Sequence, residues 1–237
     1  MSGHSKWANI KRKKEVNDKV KGNIFSKLSR LVTIAVIEGG GITDPDNNLK
    51  LRLAIEKAHS FNMPKENIKR AIEKGVGPDK SKMVEIVYEA FGPYGVSLII
   101  LSHTDNQNRT LGEVKSVLDR NQGKLGSMGS VSYLFTKCGL IVIDKKEVDQ
   151  DRLFEISEKL EALDVAEDDL KYSIYIPYSK LGHIKEALNN VNYDSAEVDY
   201  KPQNPISIED DAKLEKISLL IEHLEALEDI QKVFANL

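Results

Sequence analysis

Residues 139–200 read "GLIVIDKKEVDQDRLFEISEKLEALDVAEDDLKYSIYIPYSKLGHIKEALNNVNYDSAEVDY". The stretch opens on an apolar strand over 139–144. Its pattern then changes to helical spacing over 150–162, with Leu153, Ile156, Leu160 and Leu163 on one face. Strands follow near 168–170 and over 172–177, then a helix over 180–189 and a strand over 196–200. That order, β-α-β-β-α-β, predicts the split ferredoxin-like arrangement and makes the stretch a complete folding unit.

On its C-terminal side, "KPQNP" at 201–205 separates the unit from a helix on Leu214, Ile217, Leu220, Ile221, Leu224 and Leu227, and a short strand over 230–235. One helix and one strand cannot bury their own apolar faces, so they must return to another sheet. Upstream, Val84, Ile86, Tyr88 and Ala90 alternate with polar residues, and "GPYG" (92–95) turns the chain into the apolar run Val96–Leu101. A helix is expected from about Thr110, whose hydroxyl would cap it with Glu113 three residues on, and another strand over Val131–Phe135. Residues 206–237 are therefore expected to complete the sheet begun in 78–137, with 138–205 inserted between them.

The first third is helical by pattern. Val16, Val20, Ile24, Leu28, Leu31, Val32, Ala35 and Val36 share a face, and "EGGG" (38–41) supplies a stop. A second helix is expected over 47–60. A third starts at Pro64, buries Ile68, Ala71 and Ile72, and ends at Gly75, ahead of a linker "GVGPDKSK". The fold class expected is α+β: an N-terminal three-helix domain (1–77) followed by two α/β ferredoxin-like domains, the last (138–205) inserted into the middle one (78–137 with 206–237).

Composition excludes several classes. The 237 residues are 41% hydrophobic and 30% charged, as in a globular protein with real cores. A single cysteine, Cys138, permits no internal disulfide and suits the cytoplasm; its expected role is a small apolar residue at a strand edge. The apolar run Leu31–Ile37 ends at Glu38, too short to span a bilayer, so no membrane partner is expected.

Net charge is −3, but it is segregated: residues 1–75 hold 16 Lys/Arg against 8 Asp/Glu, leaving 18 basic and 29 acidic residues for 76–237. A head at +8 joined to a body at −11 points to a polyanionic partner at one end.

Catalytic patterns are weak by comparison. The five histidines show no metal-ligand spacing. "SHTDNQNRT" (102–110) offers His103 with Asp105 as an acid–base pair for a metal-free hydrolase, although a strand-to-helix turn calls for Asp, Asn and Thr in any case. "DPDNN" (44–48) lacks the glycine and closing glutamate of a calcium loop. Phosphate-binding glycine motifs are absent, and the G-x-x-G matches within 123–129 are common in turns. No catalytic residue, metal, cofactor or small-molecule substrate is expected. An acidic scaffold that binds proteins is the remaining class.

The strongest chemistry lies in residues 1–30, which hold nine Lys/Arg against two acids around "GHSKWANIKRKK" (3–14). Lys6, Lys11, Arg12, Lys13, Lys14, Lys19, Lys21, Lys27 and Arg30 are candidate phosphate contacts, with His4 and Asn9 as phosphate or base-edge contacts. Trp7, the one tryptophan in the chain, either pins the segment onto the helices or stacks on a base.

Five blocks, "GHSKWANIK", "NMPKENIKRAIEKG", "YEAFGPYGV", "TDNQNRT" and "GSVSYLF", together resemble the YebC/PmpR family, which includes the mitochondrial translational activator of cytochrome c oxidase. The resemblance covers nearly the whole chain. It implies a helical N-terminal domain, two α/β domains, a cytoplasmic protein without cofactor, and DNA-binding transcriptional regulation. For some members it implies instead a translation factor that contacts ribosomal or transfer RNA and acts on ribosomes, including those stalled at proline-rich stretches. A histidine common after "NIK" in the family is Arg12 here, which keeps or increases the charge, and the linker over 78–83 differs in sequence.

Overall fold

The sequence changes its hydrophobic period from helical to alternating near residue 83, and the structure changes with it. The computed structural model describes residues 21–78 and 82–237. Three helices come first: α1 (Lys21–Glu38), α2 (Leu49–Ser60) and α3 (Lys65–Val76). Asn48 caps α2 by accepting from Leu51 N, and Pro64 occupies the cap position of α3. The expected stop at Gly75 is one residue early, because that glycine lies inside α3 against α1. A Cβ there would fall 2.6 Å from Val36 Cβ, so its absence lets the helices touch. Thr33 adds a buried hydrogen bond to the Ala71 carbonyl at 2.9 Å. Val32, Ala35, Val36, Leu51, Ala54 and Ala71 form the core between them.

Two four-stranded antiparallel sheets follow. The first has β1 (Val84–Phe91), β2 (Ser97–Thr104), β3 (Lys124–Leu125) and β8 (Ile230–Ala235), in the order β3-β1-β2-β8. Helices α4 (Gln107–Arg120) and α7 (Asp211–Glu225) cover one of its faces. The second has β4 (Phe135–Asp144), β5 (Asp164–Glu167), β6 (Lys171–Pro177) and β7 (Ser195–Pro202), in the order β5-β6-β4-β7, with α5 (Gln150–Lys159) and α6 (Ile184–Leu188). This is the split β-α-β layout read from residues 139–200. The first sheet has a different order, with the β1–β2 hairpin at its centre, β3 on one edge and β8, drawn from beyond the second sheet, on the other. Chain exit and re-entry are adjacent: Phe135 pairs with Pro202, and Gln203 N donates to Leu134 O at 2.9 Å.

Several local expectations are corrected. Asn106, not Thr110, caps α4 by accepting from Arg109 N at 3.1 Å; Thr110 is buried inside the helix with other work for its hydroxyl. Residues 132–134 form a 3-10 turn, and the strand expected over 131–135 starts only at Phe135. Residues 168–170 turn around the Asp168 carboxylate, and the edge strand lies earlier, at Asp164–Glu167. The helix expected over 180–189 is a 3-10 turn at Tyr178–His183 running into the short α6. Cys138 is fully buried on β4, an interior strand rather than an edge, where burial pushes its thiol up to about 11.

A second junction ties all three units together. Lys232 on β8 donates to Glu197 at 2.7 Å and to Asp199 at 3.1 Å on β7, and Lys57 of α2 pairs with the other oxygen of Glu197. Burial opposes charge on Glu197, but the two ammonium groups outweigh it and hold the carboxyl well below its usual range. Tyr200 and Phe234 rings pack beside them at 5.0 Å.

Candidate nucleic-acid interface

Helix α1 presents two of the predicted cations to protein, not to solvent. Arg30 lies one turn beyond Lys27, so both project from the same side of α1 toward the α7–β8 turn. Lys27 donates to the Glu225 carbonyl at the end of α7, and burial lowers its ammonium pKa. Arg30, 14% exposed, pairs with Asp229 at 2.5 Å and Glu228 at 2.6 Å. The side chain of Asp229 is 2% exposed and has three further donors: Arg109 at 2.7 Å, Thr104 at 3.0 Å and Thr110 at 2.6 Å. Burial alone would raise its pKa. The hydrogen bonds from Thr110 and Arg109, with the charge of Arg30, more than offset that and leave the carboxyl below its ordinary value.

The polar block at 102–110 is thereby absorbed into a junction between the helical head and the first sheet. His103 is 1% exposed, and its Nε2 faces Glu85 on the neighbouring strand at 3.2 Å. Asp105 pairs with Arg109 at 2.9 Å. The expected acid–base pair is thus split between different partners. Among the described residues, no group of three or more His, Cys, Asp or Glu is placed to hold a metal.

The remaining predicted contacts have a different status. His4, Lys6, Trp7, Asn9, Lys11, Arg12, Lys13, Lys14 and Lys19 lie outside the described residues, and Lys21 is the first residue of α1. What sequence reading missed is the cationic side of α3. Lys65 with Lys69 and Arg70 with Lys74 form two i,i+4 pairs spread over the exposed half of that helix, a signal present in "PKENIKRAIEKG" but masked there by the stronger apolar pattern. Arg70 and Lys74, with Ser26, Ser29 and Asn67, line an open cleft of about 490 Å³ between α1, α3 and the Asp105–Glu228 rim. Asn67 accepts from the Arg70 guanidinium, and this anchors the group at the cleft.

Together these features define an α+β protein of three packed units, in which a basic helical head is fastened by ion pairs to two antiparallel sheets. Comparison with known proteins makes the class specific. Residues 5–78 match the model of the TACO1/YebC protein N-terminal domain, and residues 83–237 match that of the TACO1/YebC second and third domain. The chain belongs to the TACO1/YebC family. It is 43% identical over its full length to a protein of Caldanaerobacter subterraneus named "Probable transcriptional regulatory protein", covering 98% of that relative. A protein of the same name from Chloroflexus aurantiacus is 45% identical, with 100% of this chain and 95% of the relative covered. The crystal structure of a conserved hypothetical protein, Aq1575, from Aquifex aeolicus superimposes with a TM-score of 0.83 at 39% identity, over 92% of this chain and 90% of that one.

Proposed function

We propose that this protein is a non-enzymatic, nucleic-acid-binding regulator of gene expression acting in the cytoplasm, a transcriptional regulator in the sense of its relatives' names that works by binding DNA. The observation that carries the reading is charge segregation: +8 over residues 1–75 against −11 over 76–237. Such a dipolar chain approaches a polyanion head first, and its acidic sheets stay repelled. The proposed units are a basic head at 1–77, a central domain at 78–137 with 206–237, and an inserted domain at 138–205. The proposed contact set is the predicted one, His4 to Lys21, with Lys27 and Arg30 engaged at the junction and so acting indirectly. The burial of His103 and the pairing of Asp105 favour binding over hydrolysis.

Replacing Lys11, Arg12, Lys13 and Lys14 with glutamine is expected to weaken binding to every nucleic-acid sequence alike. On duplex DNA the log–log salt dependence should flatten by about 0.9 for each phosphate that is no longer neutralised. Titrations of duplex DNA, RNA and purified ribosomes across a salt series make the measurement. Tightest binding to ribosomes would favour the translation-factor branch. Wild-type affinity and slope in the four-site variant on all three would overturn the basic-head reading.

A further inference from the structure

The acidic body has one conspicuous gap in its acidity. From Arg120 to Ile143 there is no Asp or Glu, the longest such run within residues 76–237, while Arg120, Lys124 and Lys137 fall inside it. The run contains the loop joining β3 to β4, "GSMGSVSY" (126–133), and the structure fixes that loop from below. Glu89 on β1 is 7% exposed, and its carboxylate accepts from three backbone N–H groups of the loop: Gly129 at 2.7 Å, Val131 at 2.7 Å and Ser132 at 2.8 Å. Its own carbonyl accepts from Gly126 N at 2.8 Å. Gly129 adopts φ +82°, a conformation strained for any side chain, and thereby turns the tip outward. The negative charge of Glu89 is consumed by the loop backbone.

What the loop displays is unusual for a solvated turn. Met128 is 96% exposed and Tyr133 68%, and Phe91 and Val87, which flank Glu89 on the same face of β1, are 43% and 37% exposed. Lys124 is exposed and lies opposite Phe91 in the β1–β3 pairing, so it shares that face. A rigid loop that offers an aromatic ring, a thioether, serine hydroxyls and a nearby cation, on a body otherwise acidic, matches a ligand with stackable planar groups and a negative backbone.

We infer that the 124–133 segment is a second nucleic-acid contact, which holds an unpaired strand by stacking a base on Tyr133 and placing a phosphate at Lys124. The inference rests on the nucleic-acid reading above and adds a single-strand-selective surface remote in sequence from the head. In a duplex the base faces are already stacked, so Tyr133 acts only on unpaired strands.

The test uses the full chain with mixed-sequence single-stranded RNA, single-stranded DNA and duplex DNA of equal length. Tyr133→Ala is expected to weaken single-strand binding roughly 5- to 150-fold, the range for loss of one base–aromatic stack, and to leave duplex binding unchanged. Lys124→Gln should reduce the single-strand salt slope by about 0.7. A readout on the unaltered protein comes from Met128. Among the described methionines mild peroxide should oxidise it first, since Met63 and Met83 are 3% and 4% exposed, and bound oligonucleotide should protect it. Single-strand affinity of Tyr133→Ala within about twofold of wild type, or unprotected Met128, would overturn the loop assignment. If the four-site head variant still lost binding in that case, the general reading would survive. If the wild type bound none of the three probes, both would fall.

Discussion

Replacing Asp229 with alanine is expected to lower stability by about 3–5 kcal/mol at neutral pH, the loss typical of breaking a buried charge pair from one side. The size follows from what the carboxylate serves. Arg30, Arg109, Thr104 and Thr110 all direct donors at it from three separate elements, and alanine would remove that shared acceptor, leaving Thr110 the Thr104 hydroxyl at 2.8 Å and the Asn106 carbonyl at 3.2 Å. Urea denaturation of the wild type and the variant gives the number. A double-mutant cycle with Arg30→Met isolates the part that fastens the helical head to the first sheet. The pH dependence has a definite sign. The folded-state pKa of Asp229 is depressed, so its contribution is complete above the unfolded-state value near 4 and is lost as pH falls through the folded value. The gap between wild type and variant should therefore narrow in acid. A difference below about 1 kcal/mol at pH 7 would show that the junction is peripheral to stability.

Truncation after Gln203 should be more damaging still. It removes α7 and β8, and with them Leu214, Ile217, Leu220, Ile221 and Leu224 from the core against α4 and the first sheet. Burial of each contributes roughly 1.5–3 kcal/mol, so these five alone approach the roughly 5–15 kcal/mol that holds a typical domain folded. The cut also bares the edge of β2, whose partner β8 runs antiparallel from Leu98↔Ala235 to Ser102↔Ile230. The 1–203 fragment is expected to aggregate or to lose its cooperative transition, read by gel filtration and urea titration. A soluble fragment with a single sharp transition would mean that the central sheet does not need its last strand.

Much of the architecture was legible because hydrophobic periodicity reports which face is buried. The strands of β1, β2, β6 and β8 and the apolar faces of α1, α3 and α7 all follow from it. Errors arose where local chemistry was ambiguous. Asn106 and Thr110 are both able caps, and what decides between them is Asp229, far along the chain, which draws Thr110 inward. β5 carries an exposed edge with few apolar residues, so its pattern gave no strand signal and was placed a few residues late. Lys27 and Arg30 looked like solvent-facing cations because nothing in residues 1–30 reveals that 225–229 supply their partners. The Glu89 clamp was illegible for the same reason. A glutamate between Tyr88 and Ala90, both on the opposite face, reads as a half-exposed strand position until the loop that covers it is in place.

The adjacency of Phe135 and Pro202 has a consequence for the order of events during synthesis. All four strands of the second sheet lie between residues 135 and 202, so that sheet can close as soon as this stretch has left the exit tunnel. The first sheet, begun at Val84, must wait for Ile230–Ala235, made after every strand of the second. For that interval its apolar face has no α7 to cover it, and the unpaired edge of β2 stands open. The earlier-begun layer is thus the later to mature, and the nascent chain is most vulnerable to misassociation while residues 203–235 are still being made.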